Sequence, residues 1–292
     1  MPNAAPIRPR RSVLYMPASR TSALEKAKSL PADALIFDLE DAVAPDAKAT
    51  AREQACAAAA SGTYGRREIV IRANGLATPW GYADLAAIAK SGADAALLPK
   101  VESAAMLAQA SEILDEAGAP AEMKLWAMVE TPLAMLQIQD IARSPRLACL
   151  VMGTSDLAKD LNAAHTPDRL PFVTGLGLCL LAARAYGLAI LDGVHLNLGD
   201  DAEFLAHCRQ GYEMGFDGKT LIHPKQVEPA NASFGPSEAQ VDEARRIIAA
   251  HAEAEAKGQG VVLLDGKLVE NLHVAGAHRT VALAEAIVAL SA

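Results

Sequence analysis

The segment Leu125-Trp-Ala-Met-Val-Glu-Thr-Pro132 decides how the whole chain is interpreted. Its first five residues are apolar and have no helical period, which is typical of a strand buried on both faces. Pro132 fits the first turn of a following helix, where its missing N–H is not needed, and Thr131 is the natural cap of that helix. Glu130 therefore stands at the end of a buried strand, where a carboxylate is costly unless it is paired or binds a metal.

The same strand-then-helix pattern recurs along the chain. The other apolar runs are 13–16, 34–39, 69–72, 95–98, 147–152, 189–194 and 219–222. Ala-rich amphipathic stretches separate them, and this alternation predicts parallel strands joined by right-handed crossovers. Eight such units in about 220 residues predict an α/β fold, a (β/α)8 TIM barrel over residues 12–230. A doubly wound open sheet is the alternative, although no G-x-G-x-x-G follows the first strand.

Residues 231–292 form a predicted extension that an eight-unit barrel does not need. A polar-faced helix is expected over residues 236–257, with Ser237 as its N-cap. A β-hairpin with a type I′ turn at Asp265-Gly266 follows, and then a helix over residues 274–290. We expect this extension to cap the barrel or to reach a neighbouring subunit.

Composition excludes several classes of function. The chain has 292 residues, 51% of them hydrophobic, and a net charge of −8 without a basic patch, so nucleic acid is not expected as a partner. No run approaches the ~18 apolar residues of a membrane span, and the opening residues lack the apolar centre of a secretory signal. The four cysteines are scattered without a C-x-x-C pair, which is typical of buried thiols. We expect a soluble, cytoplasmic protein with no membrane partner.

Charged side chains follow most of the predicted strands. They are Asp38, Glu40 and Asp41 after strand 2, Arg72 after strand 3, Lys100 and Glu102 after strand 4, Glu130 after strand 5 and Asp156 after strand 6. In a (β/α)8 barrel these strand ends meet at the face that carries the active site. The simpler interpretations are an internal Lys100–Glu102 ion pair and an N-cap role for Asp156. On strand 7, Asp192 and His195 are expected to support the site rather than to catalyse.

Two carboxylates on adjacent strand ends suit Mg2+, which is commonly held by one or two carboxylates together with water and substrate. A 2-oxo or 2-hydroxy acid could chelate such an ion. Arg72 on a neighbouring strand end could stabilise an enolate, because a fixed cation acts where negative charge develops. The residues therefore predict metal-assisted making or breaking of a carbon–carbon bond next to a carbonyl.

A set of motifs in a fixed order gives the chain a family resemblance. The motifs are Arg11-Ser-Val-Leu-Tyr-Met-Pro17, Phe37-Asp-Leu-Glu-Asp-Ala-Val43, Arg72-Ala-Asn74, Thr78-Pro-Trp-Gly-Tyr-Ala-Asp84, Leu98-Pro-Lys-Val-Glu-Ser103, Val129-Glu-Thr-Pro132, Gly153-Thr-Ser-Asp-Leu157, Gly215-Phe-Asp-Gly-Lys219 and Ile222-His-Pro-Lys-Gln226. With them the chain resembles the citrate lyase β-subunit-like group, which includes malyl-CoA and citramalyl-CoA lyases. The motifs cover nearly the whole length.

The resemblance implies reversible Claisen-type cleavage of a 3-hydroxyacyl-CoA, such as malyl-CoA or citramalyl-CoA, to acetyl-CoA and a 2-oxo acid. It implies that Glu130 and Asp156 bind Mg2+, and that Glu130 and Arg72 contact the substrate. Coenzyme A would be held by Tyr15, Arg20 and Lys26. The chain would form a homo-oligomer, a trimer or hexamer, in which the extension closes the active site of an adjacent subunit.

One motif departs from the family pattern. Many members carry Gly-Lys-Met-Val/Ile-Asp in the extension, and that Asp moves the proton of the acetyl methyl group. Here the segment reads Gly266-Lys-Leu-Val-Glu270, so the implied catalytic acid is longer by one methylene, which can misplace a base by about 1 Å. Glu270 is either the base of a reshaped site or a surface hairpin residue.

Three other functions remain open at this point. One is a citrate lyase β subunit that acts on citryl-acyl carrier protein. Another is a metal-dependent aldolase of 2-oxo acids that uses no thioester. The last, from a different class, is a non-catalytic oligomeric barrel that binds a CoA ligand.

Overall fold

The computed structural model describes residues 7–258 and 260–291. The chain divides into two compact units. One is Arg10–Ser233, and the other combines the described residues before Arg10 with those from Phe234 onward.

The first unit is a closed barrel of eight parallel strands in sequential order. The strands are β1 Ser12–Pro17, β2 Ala34–Asp38, β3 Glu68–Arg72, β4 Ala95–Leu98, β5 Lys124–Val129, β6 Leu147–Met152, β7 Ala189–Asp192 and β8 Gly218–Leu221. Strand β1 pairs with β8 in the register Ser12↔Lys219 to Leu14↔Leu221, which closes the barrel. The predicted (β/α)8 barrel is confirmed, and the open-sheet alternative is wrong because this pairing leaves neither strand at an edge.

Apolar side chains from every strand except β8 fill the barrel interior. Val13, Ile36, Leu97 and Trp126 belong to this core, and of them Trp126 is the largest side chain. The strands are apolar on both faces because helices cover the outside while the interior is packed, as expected for parallel sheets.

At least one helix follows each strand of the barrel. They are α1 Thr21–Ala27, α2 Lys48–Ala60, α3 Gly81–Ile88, α4 Ala104–Glu116, α5 Pro132–Leu136, α6 Ile138–Ala142, α7 Thr154–Asp160, α8 Leu170–Ala185, α9 Asp201–Met214 and α10 Val227–Phe234. Helix α5 begins as the sequence predicts, since the Thr131 hydroxyl accepts the Ala134 N–H at 3.2 Å and Pro132 takes the first helical position. This cap leaves the Glu130 side chain free for another use.

The second unit contains α11 Glu238–Ala256, a hairpin of β9 Val262–Leu264 and β10 Lys267–Val269, and α12 Asn271–Ser291. Ser237 caps α11 in a capping box with Gln240, as predicted. The hairpin turn is also as predicted, because Asp265 and Gly266 both have positive φ, +50° and +77°. Within residues 7–258 and 260–291, no helix has the length and apolar character that a membrane span requires.

Candidate active site

A pocket of about 400 Å³ opens where the barrel strands end. Its polar wall carries Tyr15, Asp38, Asp41, Arg72, Glu130, Thr154, Asp156 and Thr220. Its apolar wall is formed by Met128, Met152, Val194, Leu196 and Ile222. The pocket brings together three residues that the sequence placed on different strand ends, namely Arg72, Glu130 and Asp156.

Arg72 is the last residue of β3 and is held in place by several carboxylates. Its Nε and Nη2 donate to the two oxygens of Asp38, each at 2.7 Å, in a bidentate pair that fixes the guanidinium plane. Its Nη1 lies 2.7 Å from Glu40 Oε2 and 3.2 Å from Asp41 Oδ2. The guanidinium also lies over the ring of Tyr15, 5.0 Å from the centroid. Arg72 is therefore a preorganised cation, 6% exposed, in the pocket wall.

Three carboxylates, Asp38, Glu40 and Asp41, surround the single positive charge of Arg72. Burial lowers the pKa of Arg72, but the neighbouring Asp38 raises it well above the usual value, so the guanidinium stays charged. Burial raises the pKa of Glu40 to about 7, against the opposing charge of Arg72 and with the help of Asp41. Glu40 can therefore hold or release a proton near neutral pH beside a fixed positive charge.

Glu130 follows β5 directly, and its side chain is buried in the pocket wall, 5% exposed. Its Oε1 accepts the backbone N–H of Lys100 at 2.8 Å. Burial raises the pKa of Glu130, the Lys100 N–H opposes this, and the negative charge of Asp156 adds to it. The two carboxylates are thus close enough to repel each other.

Gly153 makes room for the Glu130 carboxylate. A Cβ at position 153 would stand 2.6 Å from Glu130 Oε2 and closer still to Glu130 Cβ. Only glycine lets the end of β6 approach the Glu130 side chain this closely. The Gly153-Thr-Ser-Asp motif therefore joins a close approach at Gly153 to a carboxylate at Asp156, in the first turn of α7.

Glu130 and Asp156 fit a hard divalent cation. Both supply carboxylate oxygen, Glu130 is buried with its charge only partly compensated, and the neighbouring glycine keeps space beside it. Within the described residues, no group of three or more His, Cys, Asp or Glu side chains is arranged to hold a metal. Mg2+ requires only one or two carboxylates, since water and substrate complete its octahedron.

Comparison with known proteins agrees with this geometry. Residues 11–224 match the HpcH/HpaI aldolase/citrate lyase family. The chain belongs to this family. It is therefore an enzyme, and the prediction that it is related to lyases is confirmed at the level of the family.

Named relatives cover nearly the whole chain. The (3S)-malyl-CoA thioesterase of Cereibacter sphaeroides is 53% identical over 284 residues, which is 97% of this chain and 98% of the relative. The citrate lyase subunit beta of Leuconostoc mesenteroides is 35% identical, over 95% of this chain and 94% of the relative.

A solved structure extends the comparison. The protein CitE of Mycobacterium tuberculosis, in complex with magnesium, acetoacetate and coenzyme A, has a TM-score of 0.76 and 28% identity. The match covers 98% of this chain and all of the CitE chain. The likeness therefore includes the second unit as well as the barrel.

The remaining predicted site residues do not all lie in the pocket. Tyr15 lines the pocket, while Arg20 and Lys26 are exposed, just before and within α1. Glu270 belongs to the second unit, between β10 and α12, where its N–H donates to His273 Nδ1 at 3.1 Å. The predicted roles of these residues, and of Arg72, Glu130 and Asp156, stay predictions.

The predicted ion pair between Lys100 and Glu102 is wrong. Lys100 Nζ lies 3.1 Å from Asp156 Oδ2, and Glu102 Oε1 accepts the Thr131 hydroxyl at 2.8 Å. The two side chains diverge because Lys100 has a left-handed backbone, φ +49°, which turns it towards α7. A non-glycine residue in this region costs about 1–3 kcal/mol and is typical of functional sites.

Two buried networks lie behind the pocket, and Lys48, Arg169 and Lys219 within them had no predicted role. In the first, Lys48 Nζ donates to the carbonyls of Leu39 and Glu40, while Asn74 Nδ2 donates to Leu39 O and Asp84 Oδ2. These contacts hold the loop that carries the Arg72 partners. Asn74 and Asp84 belong to the family motifs quoted above and could have been assigned from them, whereas Lys48 lies in no motif.

The second network is centred on Asp192. Both of its oxygens accept from Arg169 Nη1 at 2.7 Å, and Oδ2 also accepts from Lys219 Nζ at 2.8 Å. This agrees with the predicted supporting role of Asp192. His195 and His207 pack beside it with their Nδ1 atoms 3.1 Å apart. A lysine inside a predicted buried strand, as at position 219, is the signal from which a buried partner could have been predicted.

Proposed function

We propose that this protein acts on malyl-CoA or a closely related 3-hydroxyacyl-CoA thioester, with Mg2+ as its metal. The observation that carries this proposal is the position of Arg72, Glu130 and Asp156 around one pocket at the strand ends. Two relatives support it: the (3S)-malyl-CoA thioesterase at 53% identity, and CitE, whose structure contains magnesium and coenzyme A.

Each residue of the pocket would have a separate task. Glu130 and Asp156 would hold Mg2+, which when bound supplies Lewis-acid polarisation of substrate oxygens. Arg72 would present a fixed positive charge to the oxygen on which negative charge develops, and its carboxylate partners keep it from reorienting. The apolar wall, which includes Val194 and Leu196, would exclude water from the acyl group.

Carbon–carbon cleavage is the first candidate reaction, as the motifs predict. The hydroxyl proton of malyl-CoA leaves, the bond between C2 and C3 breaks, and its electron pair passes to the thioester enolate. A proton then returns to the enolate carbon, so the products are glyoxylate and acetyl-CoA. Glu270 would be the proton donor, delivered by the extension of a neighbouring subunit in a homo-oligomer, a trimer or hexamer.

Thioester hydrolysis of the same substrate is the second candidate. Water adds to the thioester carbonyl and the thiol of coenzyme A leaves, giving malate and free coenzyme A. The name of the 53% relative favours this reaction, and so does the replacement of the family's Asp by Glu270. Since the citrate lyase β subunits are only 35–36% identical, we expect hydrolysis to predominate over carbon–carbon cleavage.

Coenzyme A would be bound outside the metal centre. Tyr15 lines the pocket, and the exposed cations Arg20 and Lys26 would pair with the phosphates. Citryl-acyl carrier protein, the substrate of the citrate lyase alternative, would need additional subunits, so turnover of a free thioester by the single chain argues against that alternative.

The decisive experiment follows both products from one substrate. Purified protein is incubated with (3S)-malyl-CoA and Mg2+, with and without EDTA, while glyoxylate and free thiol are measured separately. Free thiol without glyoxylate indicates hydrolysis, and glyoxylate with acetyl-CoA indicates cleavage. Neither product from malyl-CoA or citramalyl-CoA, or equal rates in EDTA, would overturn the proposal.

Glu270→Gln separates the two reactions further. If Glu270 moves the proton, glyoxylate formation falls by about 10²–10⁴-fold, the usual contribution of a positioned acid or base, while free thiol release is unchanged. Glu253→Gln, an exposed glutamate in α11, is the matched control. Unchanged glyoxylate formation in a folded Glu270→Gln variant would exclude this residue as the proton donor.

A further inference from the structure

Lys100 has an unusual position at the end of β4. It is one of four non-glycine residues in the described part of the chain with a positive φ, and two of the others are Asn162 and Asp265. Asn and Asp adopt the left-handed region readily, whereas a lysine does so only when its surroundings hold it there.

The surroundings of Lys100 are the two carboxylates of the candidate metal centre. Its backbone N–H donates to Glu130 Oε1 at 2.8 Å, and its Nζ lies 3.1 Å from Asp156 Oδ2. One residue therefore contacts both carboxylates, the first through the backbone and the second through the side chain. The left-handed backbone is what directs these two groups to the same centre.

The two contacts differ in how easily they can be broken. The Glu130 contact is made by the backbone next to a buried carboxylate, so it does not depend on the lysine side chain. The Asp156 contact is made by a side chain that is 53% exposed and has four rotatable carbon bonds. Solvent-exposed pairs of this kind are weak, so a stronger cation can displace the ammonium.

We propose that Lys100 is the internal counter-cation of this centre: its ammonium neutralises the Glu130–Asp156 pair before Mg2+ binds, and it releases Asp156 when Mg2+ arrives. This inference rests on the proposed Mg2+ site. Lys100 is then a positioning residue that keeps two mutually repelling carboxylates together in the metal-free enzyme and competes with the metal for one of them.

The test measures Mg2+ binding to the full-length enzyme by isothermal titration calorimetry. Lys100→Asn removes the ammonium and introduces a residue that tolerates the left-handed backbone. If the Lys100→Asn variant does not fold, Lys100→Gly takes its place. We expect the Lys100→Asn variant to bind Mg2+ about three- to tenfold more tightly at low ionic strength, and the gain to shrink as salt rises. Lys100→Arg keeps the charge, so its affinity stays close to that of the wild type.

Lys159→Asn is the matched control, because Lys159 is an exposed lysine on α7, the helix that carries Asp156. It changes the net charge equally but removes no contact with the centre, and its Mg2+ affinity is expected to be unchanged. An equal gain in Lys159→Asn would mean that net charge alone is responsible and would overturn the inference.

A second measurement does not depend on the affinity itself. Without Mg2+, the Lys100→Asn variant should have a lower Tm than the wild type, because the carboxylates lose their counter-charge, and saturating Mg2+ should reduce this difference. Unchanged or weaker Mg2+ binding by folded Lys100→Asn, or by folded Lys100→Gly where that variant is used, would refute the role of Lys100. If neither wild type nor variant binds Mg2+, the proposed metal site itself is wrong, and the inference with it.

Discussion

Gly153→Ala is the substitution that most directly tests the geometry of the pocket. The added Cβ would stand 2.3 Å from Glu130 Cβ and 2.6 Å from Glu130 Oε2, where 3.4 Å is the lower end of ordinary contact, so one of the two residues has to move by about 1.1 Å. A displacement of about 1 Å at a reacting centre can cost about 100-fold in rate. Overpacking of this kind also costs about 1–3 kcal/mol in the free energy of unfolding.

The assay combines three measurements on the same variant. We expect kcat/KM for malyl-CoA to fall by about 10–100-fold and Mg2+ affinity to fall with it, because both depend on the Glu130 carboxylate. Urea unfolding gives the loss of stability independently. Gly177→Ala is the matched control, since its Cβ meets no atom within 4 Å and alanine is favoured over glycine within α8 by up to about 1 kcal/mol.

If Gly153→Ala keeps both the kcat/KM and the Mg2+ affinity of the wild type, the close approach of Gly153 to Glu130 is irrelevant to function. A loss of stability alone, with activity per folded molecule unchanged, would assign Gly153 to packing and not to the site.

Three further changes test the surroundings of the pocket. Arg72→Lys keeps the charge but not the bidentate pair with Asp38, so we expect at least about a 100-fold loss of kcat/KM and a lower urea midpoint. Unchanged kinetics would mean that the fixed orientation of Arg72 is not needed for the reaction. Lys48→Met removes the charged donor that the carbonyls of Leu39 and Glu40 share and should reduce stability by about 1–3 kcal/mol, whereas no change in urea unfolding would mean that the loop is held by its other contacts. Burial and nearby cations lower the pKa of His207 to about 4, so the folded protein favours its unprotonated form. The free energy of unfolding should therefore fall by on the order of 2 kcal/mol as the pH drops from about 6.5 towards 4. Equal unfolding curves for wild type and His207→Gln across this pH range would contradict this.

The fold was predictable because its signal is local and repeated. Each strand is a short apolar run that ends at a charge or a turn, and each junction carries its own cap, as Thr131 and Pro132 do before α5. Eight repetitions leave few topologies, because right-handed crossovers between parallel strands close naturally into a barrel. The hairpin at Asp265-Gly266 was equally local, since both turn residues need positive φ.

The candidate site was predictable only in part. Polar residues at strand ends were visible in the sequence, and barrel closure determines that Arg72, Glu130 and Asp156 share one pocket. Pairing between the ends of different strands was not visible, and Lys100 is the clearest example. Its spacing from Glu102 suggested a local ion pair, but a left-handed backbone directs it to Asp156, 56 positions further along the chain.

The sequence by itself determined the α/β barrel, the helix caps, and the residue types available for chemistry at the strand ends. These depend on local periodicity, on backbone propensity and on which residues follow a buried strand. Only the tertiary structure decided which charges became partners, Arg72 with Asp38 and Lys100 with Asp156. It also decided that Gly153 lies against the Glu130 side chain. The physical reason is that charges pair across strands over distances of 3 Å, set by the stagger of the closed barrel, and no local pattern records that stagger.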